Sequence, residues 1–386
     1  MQRASPPSYS VHRYNSIDEL PDACDALFAS AACSFFLTRS WFGILENTTR
    51  PERDRFFYLT VETDTQPLAL MALRAPAGQL GSSLQGQNTG TGSIASLTNW
   101  YSGHYDLLLS PTLTDTDAVV QVLINDLRKR LGQGAVIELN YLEKSSATVA
   151  PLLRALRSAG LITLPYHHTL VRYEDLSHTD FEGYLRQRSS NLRKEFGRYQ
   201  RRLEKNFQLE QVMYSDDTRL DKVLADYQQV YAKCWKRPER YPQFIPELFR
   251  RGLAERRLRV GMLYLDGQPV AAELYILFNG QAISYKGAYD PDYRKQSPAT
   301  VLQMFAFKHL IEVDGVSEIN LGYGDEPYKK RWLSQRRDLT GILAFNPRSA
   351  RGLWLLFKYI GRRVVRKLVH IKGALINLSL RGSARG

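Results

Sequence analysis

The chain has 386 residues, of which 44% are hydrophobic and 24% are charged, and its formal net charge is +13. The length exceeds that of one typical domain, and the composition is that of a globular protein with a sizeable core. Residues 348–386 contain ten Lys/Arg and no Asp/Glu, so the rest of the chain carries only +3. Because a nucleic-acid binder spreads its positive charge over its folded domains, DNA is not an expected partner.

Targeting and metal-binding signals are absent from the sequence. No apolar run approaches the roughly 18 residues that span a bilayer, and residues 1–13 contain no apolar signal segment. Cys24, Cys33 and Cys234 lie far apart, and the seven histidines show no ligand spacing. We therefore expect a cytoplasmic protein that binds no metal.

The first half of the chain predicts one α/β unit. A glycine-, serine- and glutamine-rich stretch at 75–96 predicts a surface loop, since no helix follows it directly. Hydrophobic periodicity and turn residues predict a hairpin at 56–62 and 67–73, further strands at 105–109 and 135–139, and helices beginning at Ser16 and at 39–45, 115–131 and 148–159.

The second half repeats this order of elements, which predicts a second, similar α/β unit. Asp266-Gly267 is a strong hairpin signal between strands 258–265 and 270–278. The other predicted elements are helices at 181–205, 216–236 and 246–255, strands at 207–214, 281–285, 317–321 and 338–345, and a helix that begins after Ser297.

A basic turn lies between strand 281–285 and the helix that follows. Ser297-Pro298 predicts an N-cap residue followed by proline at the first helical position. Free backbone N–H groups at this helix start, with Arg294 and Lys295 just before it, suit a phosphate or pyrophosphate. An ordinary capped helix is the alternative interpretation.

The turn and two other segments resemble known families. Strand, basic turn, helix and strand resemble the phosphate-binding core of the GNAT superfamily, whose Gln/Arg-x-x-Gly-x-Gly/Ala signature is matched by Arg294, Ser297 and Ala299, with serine replacing the first glycine. Residues 191–194 (Asn-Leu-Arg-Lys) and 324–332 (Gly-Asp-Glu-Pro-Tyr-Lys-x-x-Trp) are similar to the polysaccharide- or cellulose-biosynthesis acetyltransferases. That branch is itself similar to the Fem-type peptidoglycan aminoacyl transferases.

The resemblance implies an α/β (α+β) fold made of tandem GNAT-like domains, each with a mixed, mostly antiparallel sheet flanked by helices. Residues 1–165 are then an N-terminal domain without cofactor, which forms one wall of the substrate cleft. Residues 166–347 are the acyltransferase domain, and residues 348–386 are a basic amphipathic tail.

The same resemblance implies roles for individual residues. The acyl-CoA would bind through Tyr285, Arg294, Lys295, Gln296, Ser297, Ala299 and Thr300. The expected catalytic group contains Asp325, Glu326, Tyr328 as a proton relay, and Lys329 as the stabiliser of negative charge. Substrate contacts are expected from Arg193, Lys194 and Trp235. The alternative is that Asp325 and Glu326 only pair with nearby Lys329, Lys330 or Arg331, and that the basic helix is a solvated face.

The implied function is transfer of an acyl group, acetyl in the leading case, from acyl-CoA to an amine or hydroxyl. The acceptor would be a sugar, a polysaccharide precursor or a similar small molecule or glycan. One alternative is an aminoacyl-tRNA-dependent transferase of the same fold, which alone would have tRNA as a partner. Another is a non-catalytic accessory protein of exopolysaccharide assembly.

The tail predicts an amphipathic helix whose charges are all positive. Lys358, Arg362 and Arg366 face away from an apolar stripe. The stripe consists of Leu353, Leu356, Phe357, Ile360, Val364, Leu368, Ile371 and Leu375. Such a helix either lies on an anionic membrane surface, at the inner membrane face, or docks on the protein itself.

Overall fold

The computed structural model describes residues 8–30, 34–50, 54–64, 66–76 and 93–362. These residues form one mixed, mostly antiparallel sheet of 13 strands with helices packed on it, so the predicted fold class is confirmed. The elements of the first half are β1 (Ser10–Tyr14), α1 (Asp25–Ser30), α2 (Arg39–Thr49), β2 (Asp54–Glu62), β3 (Pro67–Pro76), β4 (Ser93–Ser96), β5 (Leu108–Leu109), α3 (Thr116–Leu131), β6 (Val136–Glu143), α4 (Val149–Ser158) and β7 (Ile162–Asp175).

The second half follows the same plan. Its elements are α5 (Phe181–Gln187), α6 (Ser190–Asn206), β8 (Leu209–Tyr214), α7 (Leu220–Lys233), α8 (Phe244–Ala254), β9 (Leu258–Leu265), β10 (Gln268–Phe278), β11 (Gln281–Tyr289), α9 (Pro298–Glu312), β12 (Glu318–Tyr323), α10 (Lys329–Trp332) and β13 (Gln335–Phe345). A last helix, α11, covers residues 350–362.

The two halves exchange strands at the centre of the sheet. The strand order is β1-β2-β3-β4-β6-β13-β7-β12-β11-β10-β9-β8, with β5 beside β3. The last strand of the chain, β13, therefore lies between β6 and β7, and it is antiparallel to both. The predicted boundary after residue 165 falls inside β7, and the division into domains stays a prediction.

Each half has one parallel strand pair at the mirrored position. In the first half β4 pairs with β6, and in the second half β11 pairs with β12. All the other strand pairs are antiparallel. The two parallel pairs lie on either side of the central β13–β7 pair, so the two halves of the sheet have the same strand arrangement.

Aromatic rings join the halves across the core. Trp41 of α2 is fully buried, and its ring lies 5.9 Å from that of Phe244 and 6.3 Å from that of Tyr285. Tyr101 stacks on Phe244 with ring centroids 3.8 Å apart. Aromatic pairs of this kind add to the free energy gained by burial alone, so this cluster fixes the first half against α8 and β11.

The predicted hairpins and most of the predicted helices are confirmed, but the single helix expected at 181–205 is wrong. The structure has two helices, α5 and α6, separated by Arg188 and Ser189. Ser189 caps α6, because its Oγ accepts from the N–H of Leu192 at 3.2 Å. The Arg188 side chain turns inward, where Glu174 binds it. A buried ion pair therefore overrides helical periodicity here.

Two smaller predictions are also corrected. The helix expected from Ser16 is a single 3-10 turn at Ile17–Glu19, because the Glu19 carboxylate accepts from Asn15 N–H and does not complete a capping box. The strand expected at 105–109 is confined to Leu108–Leu109. Tyr105 instead donates its N–H to the Tyr141 carbonyl and its O–H to the Ala72 carbonyl.

The described part of the tail docks on the sheet through a face that coincides only in part with the predicted stripe. Leu355, Leu356 and Tyr359 pack against a small cluster around Phe345, whereas Phe357 is 69% exposed. Trp354 and Ile360 are exposed too. The remaining stripe residues, Val364, Leu368, Ile371 and Leu375, lie outside the described residues. The membrane-surface role stays a prediction, and no helix within the described ranges has the length and apolarity to cross a bilayer.

The buried pair at the α5–α6 break gives a test of this fold. Glu174 is 3% exposed and accepts from both Arg188 Nη atoms and from Ser334. The variant Glu174→Ala should lower the free energy of unfolding by about 3–5 kcal/mol, because it leaves the Arg188 charge buried without a partner. Urea unfolding measures this change.

The matched control is the exposed pair of Arg154 and Asp117, whose side chains are 57% and 59% exposed. Asp117→Ala should change the free energy of unfolding by at most about 1 kcal/mol, because solvent screens this pair. Equal losses in the two variants would contradict a special role for the buried pair.

Candidate active site

A cleft opens where the parallel strands β11 and β12 separate. Their pairing stops at Ile283 and Asn320. Two features bend β12 away at this point: the Asn320 side chain accepts from the Gly322 N–H at 3.1 Å, and Gly322 has a φ of 67°, a conformation that favours glycine. Beyond the bend, Tyr323 pairs with Val171 of β7.

The cleft has a volume of about 370 Å³. One wall is β11 from Ser284 to Gly287, and the opposite wall is β12 with the elbow, the name we give to residues 324–332. The first half closes the end of the cleft: Tyr323 O–H donates to the Trp100 carbonyl, and Tyr285 O–H donates to the Tyr101 carbonyl, both at 3.0 Å. The predicted donor-binding Tyr285 therefore lies in the cleft wall.

Lys329 is the buried centre of the elbow. Its side chain is only 4% exposed, and its Nζ donates to the Tyr323 carbonyl at 2.6 Å and pairs with Glu326 at 2.9 Å. Gly324, with a φ of 108°, permits the tight turn between them. Because an ammonium has three N–H groups, one remains for a ligand in the cleft that Lys329 lines.

The other predicted catalytic residues divide between the cleft and the surface. Glu326 and Tyr328 line the cleft, but Asp325 does not. Asp325 instead binds Arg172 at 2.8 Å and Lys330 at 3.0 Å, which is the surface pairing considered as the alternative. The geometry therefore brings together three of the four predicted residues.

Two of the predicted catalytic residues in the cleft have pKa values that differ from the ordinary values of their side chains. Burial alone would raise the pKa of Glu326, but the hydrogen bond and charge of Lys329 hold that pKa below its ordinary value. Burial, followed by the charges of Glu326 and Glu273, raises the pKa of Tyr328 to about 12. At neutral pH Glu326 is thus ionised and weakly basic, while Tyr328 keeps its proton.

Sequence reasoning missed a second ionisable group on the β11 side. Lys286 lines the cleft and binds Glu239 at 2.6 Å, and Glu239 also accepts from Tyr101 O–H at 2.6 Å. Burial opposes ionisation of Glu239, yet the bonds from Lys286 and Tyr101 keep its pKa below the ordinary value. No local motif marks these residues, because they come from separate parts of the chain.

It also missed Glu273, on β10. Glu273 lies directly opposite Gly287 in the register, and a Cβ added at Gly287 would lie 3.2 Å from the Glu273 Cγ. Gly287 lines the cleft and has no side chain, so no side chain of this residue lies next to the Glu273 carboxylate. Burial raises the pKa of Glu273 to about 7, although the Tyr275 hydrogen bond and the charge of Lys236 lower it. The available sequence signal was a single acid within the apolar strand 269–278.

The basic turn forms at the predicted place, with a different cap. Ser297 is the residue before α9 and takes the left-handed conformation, φ 57° and ψ 48°. Its side chain makes no capping hydrogen bond. Glycine adopts this left-handed conformation without strain, whereas serine has a backbone penalty in it.

The turn lies outside the cleft lining, but β11 joins the two. Arg294 and Lys295 are exposed in the 3-10 turn Pro291–Gln296, while Gln296, Ala299 and Thr300 are partly buried. Helix α6 packs on this turn, and Arg202 donates to the Lys295 carbonyl. A long ligand that starts at the turn would thus follow β11 into the cleft.

None of the three predicted substrate residues lines the cleft: Trp235 lies near the turn, and Arg193 and Lys194 lie on α6 next to Glu195, which pairs with Arg331 of the elbow. Arg193 and Lys194 are exposed on α6. Trp235 is 63% exposed, and its ring centroid lies 4.8 Å from that of Tyr289 at the end of β11. Its neighbour Lys236 does line the cleft and donates to the Gly287 carbonyl. This arrangement suits contacts with a long donor better than contacts with the acceptor.

No group of three or more His, Cys, Asp or Glu within the described ranges is placed to hold a metal ion. Cys24 and Cys234 are buried free thiols.

Residues 190–330 match the family model described as "Acetyltransferase (GNAT) domain". The second half of the chain contains a GNAT acyltransferase domain. The match includes the separating strands, the turn and most of the elbow, so the GNAT domain holds the whole predicted site except Trp332 of the elbow motif. No protein with a curated description matches the sequence.

Solved structures support the fold over most of the chain. FemX is similar with a TM-score of 0.59 and 10% identity, over 90% of this chain and 99% of that one. L-PGS from Bacillus licheniformis is similar with a TM-score of 0.50 and 14% identity, over 84% and 95%. A tandem GNAT protein from the clavulanic acid pathway has a TM-score of 0.49 and 10% identity, over 88% and 99%. At these identities the likeness to FemX and L-PGS shows the fold alone.

The equivalent parallel pair in the first half is bridged by a side chain where its backbone pairing ends. Asn140 N–H of β6 donates to Ser96 Oγ of β4 at 3.1 Å, just where the strands would separate. Next to it, Tyr105 donates its N–H to the Tyr141 carbonyl and is 1% exposed. These bonds hold the first-half strands together, whereas β11 and β12 part.

The left-handed turn residue predicts an unusual response to mutation. Ser297→Ala should leave the free energy of unfolding nearly unchanged, because no capping bond is lost. Ser297→Gly should leave it unchanged or raise it by about 1 kcal/mol, because glycine escapes the side-chain penalty of roughly 1–2 kcal/mol but adds backbone entropy. Chemical denaturation measures both variants.

Ser189→Ala is the control, since Ser189 caps α6 through a hydrogen bond to Leu192. That variant should lose about 1 kcal/mol, the ordinary cost of a lost N-cap. A loss of similar size in Ser297→Ala would show that Ser297 caps α9 after all.

Proposed function

We propose that the GNAT domain transfers an acyl group, acetyl in the simplest case, from acyl-CoA to an amine or hydroxyl of a polar acceptor. A sugar or polysaccharide precursor is the acceptor that we favour. The observation that carries this proposal is the gap between β11 and β12, which lies between a basic turn and a group of ionisable side chains around the buried Lys329.

The donor would bind along β11. Its pyrophosphate would lie at the start of α9, where backbone N–H groups and the exposed cations Arg294 and Lys295 are available. Its pantetheine arm would follow the strand edge beyond Ile283, which β12 no longer pairs. Gly287, without a side chain, leaves room for this arm, and the thioester would then enter the cleft.

In the cleft the acceptor nitrogen or oxygen would attack the thioester carbon. A C–N or C–O bond forms, the C–S bond breaks, the acceptor's proton passes to a base, and CoA leaves as a thiolate that is then protonated. The ammonium of Lys329 is held rigidly by Tyr323 and Glu326, which suits it to stabilise the negative oxygen of the tetrahedral intermediate. Tyr328, still protonated at neutral pH, is a suitable acid for the leaving thiolate.

Glu273 is the base that the electrostatics favour. A general base works best when its pKa lies near the working pH. The pKa of Glu273 is about 7, whereas the pKa of Glu326 is held low by Lys329 and that of Asp325 is held low by Lys330 and Arg172. Glu273 lies behind the cleft lining, directly opposite the cleft residue Gly287 in the strand register, and its charge acts on the cleft residues Lys236 and Tyr328.

An aminoacyl-tRNA donor is the second candidate, and one observation favours it. Helix α6, beside the turn, exposes Arg193, Lys194 and Arg201, and none of them has an acidic partner among the described residues. Such a row of free cations suits a longer polyanion than CoA. A wild-type protein that binds tRNA and not CoA would favour this candidate.

The donor-binding turn is tested by the double variant Arg294→Ala, Lys295→Ala. It should weaken CoA binding by about 2–4 kcal/mol, because two charge-assisted bonds to phosphate are lost. Isothermal calorimetry with CoA measures the change. Lys308→Ala, an exposed cation farther along α9, is the control and should bind like the wild type. Unchanged affinity in the double variant would remove the pyrophosphate from this turn.

The proposed base is tested by Glu273→Gln. The wild-type kcat/KM should rise with pH through about 7, because only the ionised carboxylate accepts a proton. The variant should lose this rising limb and about 10²–10⁴-fold in rate at pH 8. A stopped or continuous assay of free thiol release across pH 5.5–9 measures both.

Stability gives an independent readout of the same group. The folded-state pKa of Glu273 is raised, so its contribution to stability is greatest at low pH and is lost as pH rises towards 7 and above. Glu273→Gln should therefore gain stability relative to the wild type at pH 8 but not at pH 4. A retained rising limb in the variant would assign the base elsewhere.

A further inference from the structure

A small polar chamber adjoins the cleft at the junction of the two halves. Phe36, Gly103, Ile283, Gly322 and Tyr323 line both spaces. The chamber has a volume of about 50 Å³. We call this space the inner chamber. Its polar lining consists of Ser34, His104 and Glu143 from the first half and Gln281, Asn320 and Arg337 from the second.

Hydrogen-bonding capacity is left over around the inner chamber. His104 Nδ1 and Glu318 Oε1 are buried and have no hydrogen-bond partner among the described residues. Burial holds the pKa of His104 below its ordinary value, so its ring is neutral at pH 7. An unpaired buried polar atom costs about 1–3 kcal/mol, and such atoms cluster where a ligand or water completes the bonding.

The charges around the inner chamber nearly balance. Arg337 binds Glu318 and is held by stacking on Tyr173, with its Cζ 4.1 Å from the ring centroid. Glu143 accepts from Ser145 at 2.7 Å. Two carboxyl groups disfavour an anion such as phosphate, while Arg337 disfavours a second cation. The remaining groups are both donors and acceptors, the set that recognises neutral hydroxyls.

We propose that the inner chamber is the acceptor subsite, and that it binds a hydroxyl or hydroxymethyl group of a sugar-type acceptor. The volume suits a group of a few atoms, so the sugar ring itself would lie in the cleft, against Phe36 and Tyr323. The attacking amine or hydroxyl would then face the thioester. This inference rests on the proposed function for its role, but it predicts binding that is independent of turnover.

The test is to measure the binding of small sugars to the full chain directly, by saturation-transfer NMR. The probes are glucose, galactose, mannose and glucosamine, with cyclohexanol as the probe that keeps the ring and one hydroxyl only. We expect at least one sugar to bind ten times more tightly than cyclohexanol. His104→Phe, which fills the inner chamber, and the near-isosteric Glu143→Gln should each weaken that sugar at least tenfold and leave cyclohexanol unchanged.

Lys308→Ala, at an exposed cation of α9, is the control and should bind sugar like the wild type. CoA affinity, measured by calorimetry, should be unchanged in both chamber variants. Sugar binding that is no tighter than that of cyclohexanol, or that persists in both variants, would overturn the proposal. If the wild-type protein does not bind CoA, the proposed function is wrong. The sugar result would still decide the role of the inner chamber.

Discussion

The early end of the β11–β12 pairing is the constraint on which the site depends. Parallel strands normally exchange hydrogen bonds along their length, and here they stop at Ile283 and Asn320. The Asn320 side chain satisfies the Gly322 N–H that would otherwise point into the gap. The cost of unpaired backbone is therefore reduced on the β12 side, and the β11 side keeps free groups for a ligand.

The elbow is held at both ends by buried polar contacts. At its start, Lys329 binds the Tyr323 carbonyl and Glu326. At its end, the Trp332 carbonyl accepts from Tyr184 O–H at 2.9 Å and from Arg188 at 2.7 Å. Arg188 in turn binds Glu174 of β7. The central strand exchange thus supports the elbow, since β7 carries the carboxylate that anchors it.

In the proposed reaction, the distribution of charge would separate donor binding from chemistry. Exposed cations lie on α6 and at the turn before α9, where a phosphate can reach them from solvent. Inside the cleft the cations are individually fixed: Lys286 by Glu239, and Lys329 by Glu326 and a carbonyl. Fixed charges need little reorganisation during reaction, so they are suited to stabilise a developing oxyanion.

The sequence by itself determined the repeated α/β plan, the hairpins, the basic turn and the elbow, because each depends on local periodicity or turn chemistry. The family resemblance also pointed to Tyr285, Glu326, Tyr328 and Lys329, which the structure brings to one cleft. The same local signals misplaced a helix boundary at Arg188, where a partner 14 residues away decides the backbone.

Only the tertiary structure decided the rest of the site. Glu273, Lys286 and Glu239 sit in unremarkable local sequence, and they become relevant because strand register and loop packing bring them to one gap. The inner chamber is likewise built from both halves, with His104 and Arg337 separated by more than half the chain. Burial and neighbouring charges, which set the pKa of each group, exist only once these distant segments are packed together.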